Sequence, residues 1–291
     1  MNYLLELAVM AALFGMITVA TWAMSKSTAL ICLSNSGWFG LGAYLSAVLT
    51  VRYGIAIPYA IVSSILVTLL ASYLIGLLVS KSEADEFALT TFGIAFILFD
   101  GFNNAGTLAG GGRGFFGIPT LPGALGTSVF VAITLLGVQV ATLQWIQRKP
   151  IWALLTAVGD DLVLADMLGK PVLRAKALLY SAVSAVCGTA GALYAHATGF
   201  LDPAFFRPAL SVYFIAMIAL GRRRVLAPIL GAVVFVVVPE VINAIARIGD
   251  RSGYLRQLIF GIALVFGILF FSTIGRGGRK RQWPMDDQPS L

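Results

Sequence analysis

The chain has 291 residues, 59% of them hydrophobic and only 11% charged, with a mean hydropathy of +0.91 and a formal net charge of +7. An aqueous globular domain would not stay soluble with so little charge, so the composition excludes a soluble enzyme and points to a polytopic membrane protein. The basic excess does not argue for nucleic acid, because the lysines and arginines fall between apolar runs rather than on one solvated face.

Apolar runs of about 20 residues, the length that crosses a hydrocarbon core, recur along the chain. Residues 3–24 are the first expected span, with Glu6 close to its end. No basic stretch precedes it, as a cleavable signal would require, so this span is expected to remain in the mature chain. After a turn at Lys26, residues 28–51 make a second span. Its Ser34, Asn35, Ser36, Gly37, Gly40 and Gly42 suit close helix approach or locally unwound backbone inside a bundle rather than contact with lipid. Residues 57–79 form a third span, closed by Lys81, Glu83, Asp85 and Glu86. Residues 87–99 are apolar but short, and Asp100, Asn103 and Asn104 follow directly, so a broken or tilted helix is expected there. Residues 101–126, with LAGGGRGFFGIP at 108–119, read as the longest irregular segment between spans.

A fifth span, 127–146, leads through Arg148, Lys149 and Pro150 into the only sizeable charged amphipathic segment before the C-terminal tail. Asp160 and Asp161 follow Gly159, where a helix N-terminus favours negative charge, and Gly169, Lys170 and Pro171 supply stop signals. Ala157, Asp161, Leu164 and Leu168 share one stripe of this short helix, leaving a thin apolar edge for a partner. Pro171 can open the next helix, whose residues 177–198 span. Asp202 and Pro203 turn the chain, 209–220 is a second short apolar run, Arg222, Arg223 and Arg224 follow, and 225–245 and 255–274 complete the spans. The tail, 275–291, is basic at first and then expected to be disordered. The expected fold is all-α: a polytopic transmembrane helix bundle of about nine spans, some short or interrupted, in a single domain over 1–274.

Nine crossings put the termini on opposite sides. With the C-terminus in the cytoplasm, only Arg52, Arg113, Arg207, Arg247, Arg251 and Arg256 of the 20 basic residues lie outside. The segment 148–176 is then cytoplasmic, and the N-terminus and the Gly-rich loop are periplasmic. The runs 87–99 and 209–220 occupy comparable places in the two halves, as expected where interrupted helices surround a midplane pathway.

The residues offer little chemistry. No Walker-type phosphate loop occurs, and Gly110 to Gly112 fit a flexible or re-entrant turn better than a phosphate nest. His196 is the sole histidine, which excludes His-rich metal ligation and suits an interfacial position at the outer end of a span. Cys32 and Cys187 sit in apolar sequence and read as small core residues, so no metal site is expected. Asp100 reads as a cap or a pathway acid, and Glu240 as a pathway acid or a partner of Arg247. An ion-coupled secondary transporter using Asp100 and Glu240, or an intramembrane enzyme using these acids or His196, are the competing classes.

Several motifs in one order carry a resemblance: FGLGAY at 39–44, GGRGFFGIP at 111–119, AVGD at 157–160, ADMLG at 165–169, RAK at 174–176, GTAGALYA at 188–195, GFLDP at 199–203, APILGA at 227–232 and PE at 239–240. Together they resemble the permease subunits of branched-chain amino acid type ABC importers. The resemblance implies a transport permease rather than an enzyme, in a bacterial inner membrane. Its expected partners are the lipid bilayer, a homologous second permease, two ATP-binding cassette subunits that hold ATP and Mg, and a periplasmic solute-binding protein. No cofactor is then expected in this chain. The resemblance makes 148–176 the ATPase-coupling segment, through Asp160, Asp161, Leu164, Ala165, Leu168, Gly169 and Arg174. Asn35, Ser36, Asp100, Asn103 and Glu240 become candidate pathway residues, and Gly111, Gly112, Gly117 and Pro119 the motif loop. Gly159, Ser34 to Gly37 and Arg222 to Arg224 depart from the family pattern. The substrate expected from the resemblance is a branched-chain amino acid or a related amino acid, amide or urea.

Overall fold

A computed structural model describes residues 2–121, 123–150, 152, 153, 155, 156, 172–219 and 225–246. Its helices in chain order are α1 (Asn2–Thr28), α2 (Asn35–Tyr53), α3 (Ile57–Val79), α4 (Ala84–Asn104), the single turn α5 (Gly106–Ala109), α6 (Ala124–Gln147), α7 (Val172–Thr198), α8 (Ala209–Ala219) and α9 (Ala227–Ala246). Two two-residue strands, β1 (Phe115–Phe116) and β2 (Phe200–Leu201), pair antiparallel beside the bundle. Among the described residues, four helices are long and apolar enough to cross a membrane: Tyr3–Thr28, Ile57–Val79, Leu125–Gln147 and Val172–Thr198. The expected span 255–274 and the tail 275–291 lie outside the described residues.

Helix α3 turns small groups inward and large aliphatic groups outward. On α3 the buried stripe is Ala60, Ser64, Thr68, Ser72, Gly76 and Val79, while Tyr59, Leu66, Leu70, Leu74 and Leu78 are exposed. Lipid is as apolar as leucine, so burying leucine gains nothing; close backbone approach and dispersion do the work. The serines and threonine return their hydroxyls to carbonyls of their own helix, as Thr68 does to Ser64 and Ser72 to Thr68. The tightest crossing joins α2, α7 and α3. A methyl group added at Gly42 would land on the Gly188 backbone, one at Gly191 on the Phe39 carbonyl, and one at Gly188 on the Thr68 side chain.

Two expectations are corrected here. Residues 87–99 are not a broken helix, for they lie within the continuous 21-residue α4. The Glu83 side chain accepts from the backbone at Glu86, and the Glu86 carboxylate accepts from the Glu83 N–H, so this capping box starts the helix before the apolar run. At the other end Asn103 and Asn104 donate to the Phe99 and Asp100 carbonyls, which keeps the polar turn helical. At 1.5 Å per residue α4 is about 32 Å long, although it is not among the four helices apolar enough to count as a candidate span. Likewise 28–51 is not one continuous span. Thr28 ends α1, Ala29 turns at φ 54°, residues 29–34 are non-helical, and α2 starts only at Asn35.

Gly191→Val, forced into the α2 backbone, is expected to lower the thermal unfolding midpoint in detergent by several degrees, on the scale of about 1–3 kcal/mol for core overpacking. Gly93→Ala, where nothing lies within 4 Å of the added atom, should leave it unchanged or higher.

Candidate functional site

The break before α2 is filled by polar side chains from the surrounding helices. Asn35 donates to Thr21 Oγ1 on α1 at 3.0 Å and to the Cys32 carbonyl at 3.2 Å. The Leu33 N–H reaches Thr91 Oγ1 on α4 at 3.1 Å. Ser34 shares a hydrogen bond with Tyr180 OH on α7 at 2.9 Å, and Trp38 Nε1 donates to both hydroxyls. Asn35, Ser36, Ser34 and Tyr180 are fully buried. Cys32 and Cys187 are free and buried, with the Cys187 thiol 3.8 Å from Asn35 Oδ1. Thr21 stands seven residues before the end of α1, so the break sits roughly 10 Å inside the bundle from that end.

A second helix starts at the same point. After α7 ends, the chain descends alongside α2, with Pro203, Phe206 and Pro208 buried; Phe206 packs on Phe39, Tyr44 and Phe102. α8 then begins at Ala209, and its Ser211 accepts from the Ser36 N–H at 2.9 Å and donates to Ser36 Oγ at 2.8 Å. Thus α2 and α8 meet start to start inside the bundle, α2 running with α7 and α8 running away toward the Lys26 end, where Ile218 packs with Trp22 and Ala23. The expected short run 209–220 is one half of this pair. The other half is 29–36, not 87–99. No single-helix reading could show it, because the pairing is spatial.

The motif loop lies at the opposite end of the bundle. Gly110, Gly111, Gly114 and Gly117 all have positive φ, from 56° to 83°, which only glycine adopts without strain. These turns lay β1 against β2 in the register Phe115 to Leu201 and Phe116 to Phe200, and a Cβ on Gly114 would strike Phe200. Two motifs of the sequence, 111–119 and 199–203, are therefore the two sides of one contact. Gly112 and Gly117 are exposed, whereas Gly111 packs under the Asn103 carbonyl.

His196 corrects a further expectation. It is fully buried rather than interfacial, because the loop folds over it: its Nδ1 lies 2.8 Å from the Pro119 carbonyl and its Nε2 2.8 Å from Ser46 Oγ. A carbonyl only accepts, so Nδ1 carries the proton and Ser46 donates to Nε2. Asn35 and Ser36 are brought together; the other candidate pathway residues are not. Asp100 is exposed and Asn103 half-buried at the far end of α4, nine residues or roughly 14 Å beyond Thr91. Glu240 is half-buried on α9, which does not pack along α4. Arg174 is exposed in the first turn of α7. Asp160, Asp161, Leu164, Ala165, Leu168, Gly169 and Arg247 lie outside the described residues. Among the described residues, no three His, Cys, Asp or Glu side chains gather. Thr21, Trp38, Thr91, Tyr180 and Ser211 escaped the sequence reading because each is an ordinary helix residue until the break is placed beside it.

The double variant Thr91→Val, Ser211→Ala leaves two buried N–H groups unpaired, each at about 1–3 kcal/mol. Amide exchange at residues 33–36 should rise and thermal stability fall, while Thr90→Val on the exposed face of α4 should change neither.

No solved structure matches the chain at a significant level. Among curated proteins it is similar to the "High-affinity branched-chain amino acid transport system permease protein LivM" of Salmonella typhimurium, 25% identical over 269 residues, and to the protein of the same name from Escherichia coli, 24% identical over 269 residues. Each match covers 82% of this chain and 62% of the relative, so the chain spans about three-fifths of the length of the curated relatives it matches. The family model described as branched-chain amino acid transport system, permease component, matches residues 3–268. With its ordered motifs and its membrane helices, the chain belongs to the branched-chain amino acid transport system permease component family.

Proposed function

We propose that this chain is a permease subunit of an ATP-driven importer that moves a small polar solute, a branched-chain amino acid or a related amino acid, amide or urea, into the cytoplasm. The observation that carries the reading, within a permease family, is the meeting of two discontinuous helices at Ser36 and Ser211. Helices that start inside a bundle leave donors and small polar groups along a route through it, where continuous apolar helices would close it. In this reading the Ser36 to Ser211 contact is the closed state of the route, and Asn35, Thr21 and Ser34 line its inner side. Asp100 and Asn103 then serve the end of α4, and Glu240, inside α9, does not join them at a shared binding point.

The segment 148–176 is the handle gripped by two ATP-binding cassette subunits, which carry the ATP and Mg. A homologous second permease completes the pathway, and a periplasmic solute-binding protein delivers the solute to the end that carries the β1–β2 pair. The N-terminus is then periplasmic and the C-terminus cytoplasmic. Coupling follows because a ligand shifts a conformational equilibrium only through contacts that differ between states, and the handle is where nucleotide-driven closure would make such contacts.

Asp161→Arg and Leu164→Trp should reduce solute uptake severalfold while ATP hydrolysis by the co-purified ATPase subunits persists. Unchanged uptake in both variants, or the absence of any ATPase subunit on purification, would sink this reading. Uptake that survives ATP depletion but collapses with the proton gradient would favour the ion-coupled alternative.

A further inference from the structure

At the Lys26 end of the bundle, α1, α6, Trp152 and the start of α9 line an open cavity of about 420 Å³. Its walls include Trp22, Lys26, Gln144, Gln147, Trp152 and Leu226. The floor is a small apolar cluster in which Trp22, Ala23 and Ile218 are packed by Leu143 and Trp152. Lys26 is exposed, and its ammonium lies 5.7 Å from the Trp22 ring centroid, within cation–π range. Just after α6, the Lys149 ammonium sits 4.5 Å over the Trp145 ring. The rim faces outward: Leu226 is more than half exposed, and few residues of α6 are fully buried.

From these features we infer that the cavity is a headgroup site for an anionic phospholipid. A positioning lysine alone would need only to reach the interface, and no concave polar wall would be required. Here a cation, two side-chain amides that can donate, and an apolar floor line one cavity. Lys26 and the amides of Gln144 and Gln147 supply donors to phosphate oxygens, Trp22 and Trp152 cover the glycerol region, and Leu226 lies along the acyl chain. The volume is more than ten times the roughly 30 Å³ share of one water, so a phosphodiester fits with its hydration. Basic pockets between membrane helices are known to select such headgroups. Only the choice of leaflet, the cytoplasmic one, rests on the orientation given under Proposed function.

The test uses the full chain in nanodiscs of equal phosphatidylglycerol and phosphatidylcholine, with retained lipid counted by native mass spectrometry after release into detergent. Phosphatidylglycerol should be retained in preference, Lys26→Gln should cut that retention about fivefold, and Lys26→Arg should keep it. Gln144→Leu with Gln147→Leu, which leaves charge and topology alone, should also reduce it. Millimolar inorganic phosphate should not displace the lipid, because it lacks the acyl contacts. Equal retention of both lipids, or retention unaffected by Lys26→Gln in a chain that elutes as the wild type does, would overturn the site. Binding of inorganic phosphate that Lys26→Gln abolishes, without any lipid preference, would reassign it to a free anion. None of these readouts needs ATP or a transported solute, so transport can fail its own test without touching this one.

Discussion

In a bilayer every backbone N–H and C=O must find a partner within the protein, and the rest of this structure follows from how that rule is met at one place. The chain stops being helical at Thr28 and resumes at Asn35, inside the bundle. The donors freed there cannot turn to lipid. Thr91 takes the Leu33 N–H, Ser211 takes the Ser36 N–H, and Ser34, Tyr180 and Trp38 close a three-way hydrogen-bond set around them. Each partner sits on a different helix, so the break holds α2, α4, α7 and α8 in register. A fault in one of these hydroxyls would be felt at the start of a helix rather than at a single side chain.

That demand explains why the crossing of α2, α7 and α3 is built from glycine, serine and alanine. For hydroxyls on α4, α7 and α8 to reach the break, the helices around it must come close. Gly42, Gly188 and Gly191 remove the side chains that would hold α2 and α7 apart, and the bulky aliphatic residues are displaced to the lipid face of α3. Aromatic rings take over where the helices splay: Phe14, Phe39, Tyr194, Phe205 and Phe206 interlock around the chain that descends to α8. The polar break and the aromatic packing are stacked along the same axis, one below the other.

The far end is closed by a different device. His196 ties α2 to the Gly-rich loop through Ser46 and Pro119, and the β1–β2 pair ties that loop to the segment feeding α8. Residues 199–208 then lead from the loop to the Ser36 to Ser211 contact, where two helices begin.

The sequence by itself determined the class: its apolar runs require a membrane, its basic residues favour one orientation, and its ordered motifs place it in a permease family. Local signals also marked 34–42 as unsuited to lipid and 209–220 as unusually short for a span, because composition and length are properties of a segment alone. The Glu83 and Glu86 spacing contained the start of α4, but read as a loop it led to a false break at 87–99. Only the tertiary structure decided that 29–36 and 199–211 meet, that His196 is covered, and that two separate glycine motifs are one contact. Those outcomes depend on which helices lie side by side, and hydrogen bonds between residues up to 175 positions apart leave no trace in local spacing.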